Sequence, residues 1–175
     1  MSGRPSSHPD SGPVLGFAAT SRYLGCAVIS RGEIVALKSR RVVRGAVPDT
    51  APLVEWAAGV LERFRPVAVA LLDAANPRSS ARARGRDLAP AVHRAAARRC
   101  LVPIETCRPE IAVALRLEAM TTVAIRLELA RRCPFVAAHV SQSRSRSETD
   151  RYWEPAVLGA AAALAIAARD APRDS

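Results

Sequence analysis

The sequence holds a single lysine, Lys38; every other basic side chain is arginine. It also has no CxxC pair: Cys26, Cys100, Cys107 and Cys133 stand apart, with no histidine beside them at zinc-finger spacing. That spacing excludes a structural zinc site and leaves reduced core thiols, as in a cytoplasmic protein. His8, His93 and His139 fall in an N-terminal arm, a basic helical stretch and a loop or strand, so they form no ligand cluster. No apolar run is long enough to span a bilayer. The longest, Ala156 to Ala168, is mostly alanine and reads as a buried helix, so no membrane partner is expected. Met1 to Pro13 consists of Ser, Gly and Pro with Arg4, His8 and Asp10, and lacks the apolar block of a signal peptide. Residues 1–13 read as a disordered arm and 171–175 as a disordered tail. Residues 14–170 suit one domain, large enough to bury about 70% of its unfolded surface.

Charge is present, and it is unevenly placed. The formal net charge is +10, and residues 78–108 carry eight basic side chains against two acidic ones. Genome base composition can enrich arginine, but it would spread arginine along the chain without regard to acidic partners. A segment this unbalanced points to an anionic partner, nucleic acid first.

In order, Val14 to Ala18, Leu24 to Ile29 and Ile34 to Leu37 are apolar runs separated by Thr20-Ser21-Arg22 and Arg31-Gly32. They read as a three-stranded antiparallel meander, the third strand continuing to Arg44. Asp49 or Thr50 can cap a helix from about Ala51, with Trp56 and Phe64 on its apolar stripe and Glu55 and Glu62 on solvated faces. Pro66 stops it, and Val67 to Leu72 reads as a strand covered on both faces. A helix is expected from about Asp87 to Arg99, with Arg94 and Arg98 four residues apart on one face. Leu101 to Thr106 reads as a fifth strand. Arg108-Pro109-Glu110 opens a helical region reaching Arg132, with Ile111, Leu115, Ala119, Val123, Leu127 and Ala130 in phase and a break near Met120-Thr121-Thr122. Glu118, Glu128, Arg116 and Arg126 fit its exposed faces. Ser141 to Asp150 reads as a loop in which Arg144 and Arg146 are secondary phosphate contacts. Tyr152-Trp153-Glu154-Pro155 opens the last helix, with Pro155 in its first turn.

Three local motifs in this order resemble the RuvC-type Holliday-junction resolvases of the RNase H-like superfamily. They are the meander from its apolar-Gly-apolar start through Ser21-Arg22 to Gly25, the Asn76-Pro77-Arg78-Ser79 segment after the fourth strand, and the alanine-rich closing helix around Leu158 to Ala165. The resemblance runs from about Val14 to Ala168. It implies an α/β fold with a mixed five-stranded sheet, an antiparallel β1-β2-β3 meander followed by βα units, flanked by helices. It also implies carboxylates that hold catalytic metal at the end of the first strand, the end of the fourth strand and the closing helix. Here those positions are Ala18, Leu72 and Gly159. Asp73 is the one neighbouring acid, and strand alternation turns it to the opposite face unless the strand ends or bulges.

Mg²⁺ in such sites is held by carboxylates, and an alanine, a leucine and a glycine offer none. The expectation is therefore no catalytic residue, no metal and no cofactor, with nucleic acid, DNA more than RNA, on Ser21, Arg22, Asn76, Arg78, Ser79, Ser80, Arg82, Arg84, Arg86, Arg94 and Arg98. Arginines fork onto phosphate oxygens, and the Asn-Pro turn offers short donors. The alternatives are a scaffold or regulatory subunit with an acidic protein partner, and a Mg²⁺-dependent endonuclease rebuilt from Asp73, Asp150 and Glu154. The resemblance also raises a homodimer acting on four-way junctions.

Overall fold

The computed structural model describes residues 12–20, 22–41, 51–72, 82–141 and 147–170, without the side chains of 82–87 and 170. The expected arm and tail lie almost wholly outside these residues. The elements are β1 (Val14–Ala19), β2 (Tyr23–Ser30), β3 (Glu33–Arg41), α1 (Ala51–Phe64), β4 (Ala68–Leu72) and α2 (Arg82–Ala97). β5 (Ile104–Thr106), α3 (Arg108–Leu115), α4 (Thr122–Arg132), α5 (Pro134–Ala137) and α6 (Glu148–Asp170) follow.

One sheet runs β3-β2-β1-β4-β5. The first three strands pair antiparallel, and β4 and β5 add in parallel beside β1, the mixed arrangement expected. Arg31 and Gly32 turn β2 into β3 with φ of 51° and 78°, the pair of positive values that a tight hairpin needs. Between Val28 and Ile29 the register slips, leaving Val35 opposite no partner and half exposed. The bulge lets Ile34 and Leu37, three residues apart, share one face.

Strand alternation divides the core in two. Leu15, Phe17, Leu24, Cys26, Val69 and Leu71 point toward α1 and α2. Ala18, Ala27, Ile29, Ala70 and Leu72 point toward α6 and the α3–α5 segment. Helix α6 is the centre of the second layer. Its Ala156 to Ala163 stretch is buried throughout, because alanine and glycine let a helix axis approach the sheet closely.

Several expected boundaries move. Helix α2 starts at Arg82 rather than Asp87 and carries Pro90 inside it. The long helical region is two helices, since Arg116 adopts left-handed φ 57° and closes α3 well before Thr121 caps α4 through Ala124 N–H. Helix α6 begins at Glu148, so Pro155 lies in its interior rather than its first turn. Ser147 and Asp150 explain the early start: Asp150 N–H donates to Ser147 Oγ, and Ser147 N–H donates to the Asp150 carboxylate at 2.8 Å. Of the four free cysteines only Cys26 is a core thiol; Cys100 is exposed and the other two are half-buried. Burial pushes the Cys26 thiol up to about 12, against the opposing pull of Lys38. Among the described residues no helix is long and apolar enough to cross a membrane.

Candidate nucleic-acid interface

Ala18 is fully buried on the α6 side of β1, paired with Gly25 of β2. The parallel register that aligns Phe17 with Leu71 brings Leu72 beside it, 8% exposed. Gly159 of α6 lies on Gly16, two residues before Ala18 in β1. A Cβ at Gly159 would stand 2.5 Å from the Gly16 carbonyl oxygen, and one at Gly16 would stand 1.9 Å from that of Gly159. Gly25 is equally covered, its missing Cβ 2.1 Å from Ala156 N. Helix backbone rests on strand backbone here, so a carboxylate at residue 159 has no room.

Ala18 and Leu72 thus lie buried in one apolar cluster, and Gly159 packs on Gly16 of the same strand as Ala18, so none of the three positions where the resemblance places metal-holding acids offers an oxygen side chain. Such a donor set does not fit a divalent cation, which needs oxygen ligands to offset its dehydration. Among the described residues no group of three or more His, Cys, Asp or Glu side chains lies together. Asp73, the neighbouring acid, lies outside the described residues.

Asp150 and Glu154, the other acids of the rebuilt-site alternative, are buried at 1% and 8% exposure. Asp150 is fully engaged. Its carboxylate accepts from Ser141 N–H and from Ser147 N–H and Oγ, and lies 3.2 Å from the Arg126 guanidinium. Burial pulls its pKa upward, but the Ser147 and Ser141 hydrogen bonds and the Arg126 charge outweigh that and leave it below the usual carboxylate value. Arg126, expected on an exposed face, is 1% exposed. It sits between Ile125 and Leu129 on the inward stripe of α4, where Asp150 compensates its charge. Arg108 stands within electrostatic reach of Glu154; burial lowers its pKa and the Glu154 carboxylate partly restores it.

The expected nucleic-acid contacts divide by what is described. Ser21, Asn76, Arg78, Ser79 and Ser80, and the side chains of Arg82, Arg84 and Arg86, lie outside the described residues, as do Arg144 and Arg146. Arg94 is exposed on α2. Arg98 is exposed too, but its guanidinium lies 3.4 Å from Glu55 of α1, and Arg99 pairs with Glu62 in the same way. The two glutamates expected to be merely solvated thus tie α1 to the turn that follows α2. At such exposure these pairs contribute little and remain open to exchange for phosphate.

Arg22 is exposed in the β1–β2 turn and belongs to a group the sequence reading missed. Tyr23 Oη donates to Glu148 at 2.6 Å, and Arg22, Arg41 and Arg151 all stand close enough to favour the Glu148 carboxylate's charge. The Tyr23 hydrogen bond is the largest cause of that carboxylate's lowered pKa. Three arginines from a turn, a strand end and a helix converge on one acid, leaving positive charge in excess. Arg41 pairs with Tyr23 across β2 and β3, a register visible only once the bulge is placed.

No protein-family model matches the sequence and no curated protein does. Solved structures do match. RuvC of T. thermophilus in complex with a Holliday junction substrate superposes with a TM-score of 0.66 at 19% identity, covering 90% of this chain and 95% of that one. A second Thermus thermophilus RuvC structure gives 0.65 at 20% identity over the same shares. The yeast mitochondrial Holliday junction resolvase Ydc2 gives 0.56 at 12%, covering 94% of this chain and 84% of that one. At these identities the likeness establishes the fold, which is RNase H-like with the RuvC arrangement.

Proposed function

We propose that this chain is a RuvC-like domain that binds nucleic acid, branched DNA in the first place, and does not cleave it. The observation that carries the reading is the backbone contact between Gly159 and Gly16, flanked by buried Ala18 and Leu72. Metal-dependent phosphodiester cleavage needs oxygen ligands on the cation; the contact leaves no room for a side chain at residue 159, and Ala18 and Leu72 carry no oxygen donor. Binding is supported by the arginine excess of residues 78–108, by exposed Arg94, and by the Arg22, Arg41 and Arg151 group. The RuvC and Ydc2 likenesses favour a junction over a plain duplex as the ligand.

The test is a gel-shift panel of four-way junction, duplex and single strand, as DNA and as RNA, with and without Mg²⁺ or Mn²⁺. Retention that falls with salt, and no cleaved strand, is the expected result. Replacing Arg22, Arg41 and Arg151 together by Ala is expected to lower the slope of log affinity against log salt by about 3, roughly one unit per phosphate contact. An unchanged slope removes that group from the interface; the same substitution in Arg82, Arg84 and Arg86 tests the other half.

A further inference from the structure

Seven Phe, Tyr and Trp residues serve the whole chain, yet four of them and one histidine form a single row. Tyr23 meets Tyr152 edge-on at 5.5 Å, Tyr152 meets Trp153 at 5.0 Å, Trp153 meets His139 at 4.7 Å, and His139 meets Phe135 at 4.9 Å. The row follows the edge strand β3. Tyr23 is paired with Arg41 at one end of that strand, Tyr152 Oη donates to the Ser39 carbonyl at 2.7 Å, and Phe135 walls a cavity of about 500 Å³ shared with Glu33 and Ile34 at the other end.

Tyr23 and Tyr152 are fixed by their hydroxyl bonds, but the far half of the row is open: Phe135 is 41% exposed, and His139 and Trp153 are half-buried. Core packing does not call for an exposed phenylalanine held against an imidazole. Three contacts of the row are edge-to-face and the Phe135–His139 pair is tilted by 49°, so no two of these rings stack face to face on one another.

We propose that Phe135, His139 and Trp153 form a stacking platform for unpaired nucleobases, entered from the Arg22, Arg41 and Arg151 group. This rests on the nucleic-acid reading above. The occupant is chosen by charge complementarity: arginines at the head of the row attract a phosphate backbone, and rings then receive its bases, the combination used for single-stranded segments. A fully paired duplex keeps its base faces inside the stack and gains nothing from the rings.

The experiment compares one fluorescently labelled DNA duplex with the same duplex carrying a single-stranded thymidine tail. The native chain is expected to bind the tailed form about fivefold tighter or better, with quenching of tryptophan emission on tail binding. Phe135→Ala, at an exposed position, and His139→Ala, at a half-buried one, are expected to erase that preference while leaving duplex affinity unchanged. Phe135→Leu serves as a second variant that keeps side-chain volume without a ring face, and should behave like Phe135→Ala. Equal tail preference in native chain and variants overturns the platform and leaves duplex binding standing. Absence of any DNA binding overturns both.

Discussion

Replacing Gly16 by Ala tests the closure of the sheet by α6. The new methyl would stand 1.9 Å from the Gly159 carbonyl oxygen, whereas ordinary contact begins at 3.4 Å. Neither partner can rotate away, because both are backbone. Helix α6 must therefore retreat by about 1.5 Å, and a gap of that size forfeits more than half the dispersion attraction along the interface. The interface is large, since Ala156 to Ala163 are all buried between the sheet and the α3–α5 segment. Overpacking typically costs about 1–3 kcal/mol, and a rigid contact belongs at the top of that range. For a domain of this length about 3 kcal/mol lowers Tm by roughly 6–12 °C. Thermal unfolding followed by circular dichroism reads it directly. Gly59→Ala is the internal control: Gly59 is exposed within α1 with nothing within 4 Å of a Cβ, so the same substitution should stabilise by about 0.5–1 kcal/mol. If Gly16→Ala melts within about 2 °C of the native chain, α6 does not lie on the strand as described and the closure is wrong.

Two further outcomes concern charge. Asp150→Asn removes the anion beside the buried Arg126 guanidinium, and is expected to cost about 3 kcal/mol in urea unfolding; a loss below about 1 kcal/mol would mean the pair is not structural. Glu128 accepts from Arg131 and Arg132, and these hydrogen bonds, Arg131 first, hold its carboxyl down to about 2 against the effect of burial. Its folded pKa lies below its unfolded one, so its contribution is complete above pH about 4.5 and fades as pH falls toward 2. Glu128→Gln should therefore flatten the stability profile across that acid window and leave its shape above pH 6 unchanged.

The meander and α1 were legible because each follows from local pattern: apolar runs, Arg31-Gly32, and an apolar stripe from Leu53 to Phe64; the mixed sheet was legible only through the RuvC-type resemblance. In the α3–α4 region the break near Met120-Thr121-Thr122 was legible too, but one helical phase was carried across it. The link resets the phase, so Ile125 and Leu129 are buried where Val123 and Leu127 had been expected. The same reset turns Arg126 inward, and residue type alone placed it outside. The start of α6 was missed although Ser147-Glu148-Thr149-Asp150 is a capping box in plain view; the serines and arginines around it read as loop. Gly159 drew notice only as the position where the resemblance places an acid, not as a contact. Its meaning depends on Gly16, which lies 143 positions earlier in the chain and is reached only through the packing of α6. The group at Glu148 escaped for the same reason, since Arg22, Arg41 and Arg151 share no local sequence feature.

A labelled four-way DNA junction incubated with the protein and Mn²⁺, its products resolved on native and denaturing gels together, separates binding from cleavage. A retained, salt-sensitive complex with every strand intact is expected. Strands cut at the junction, or no complex at low salt, would contradict it.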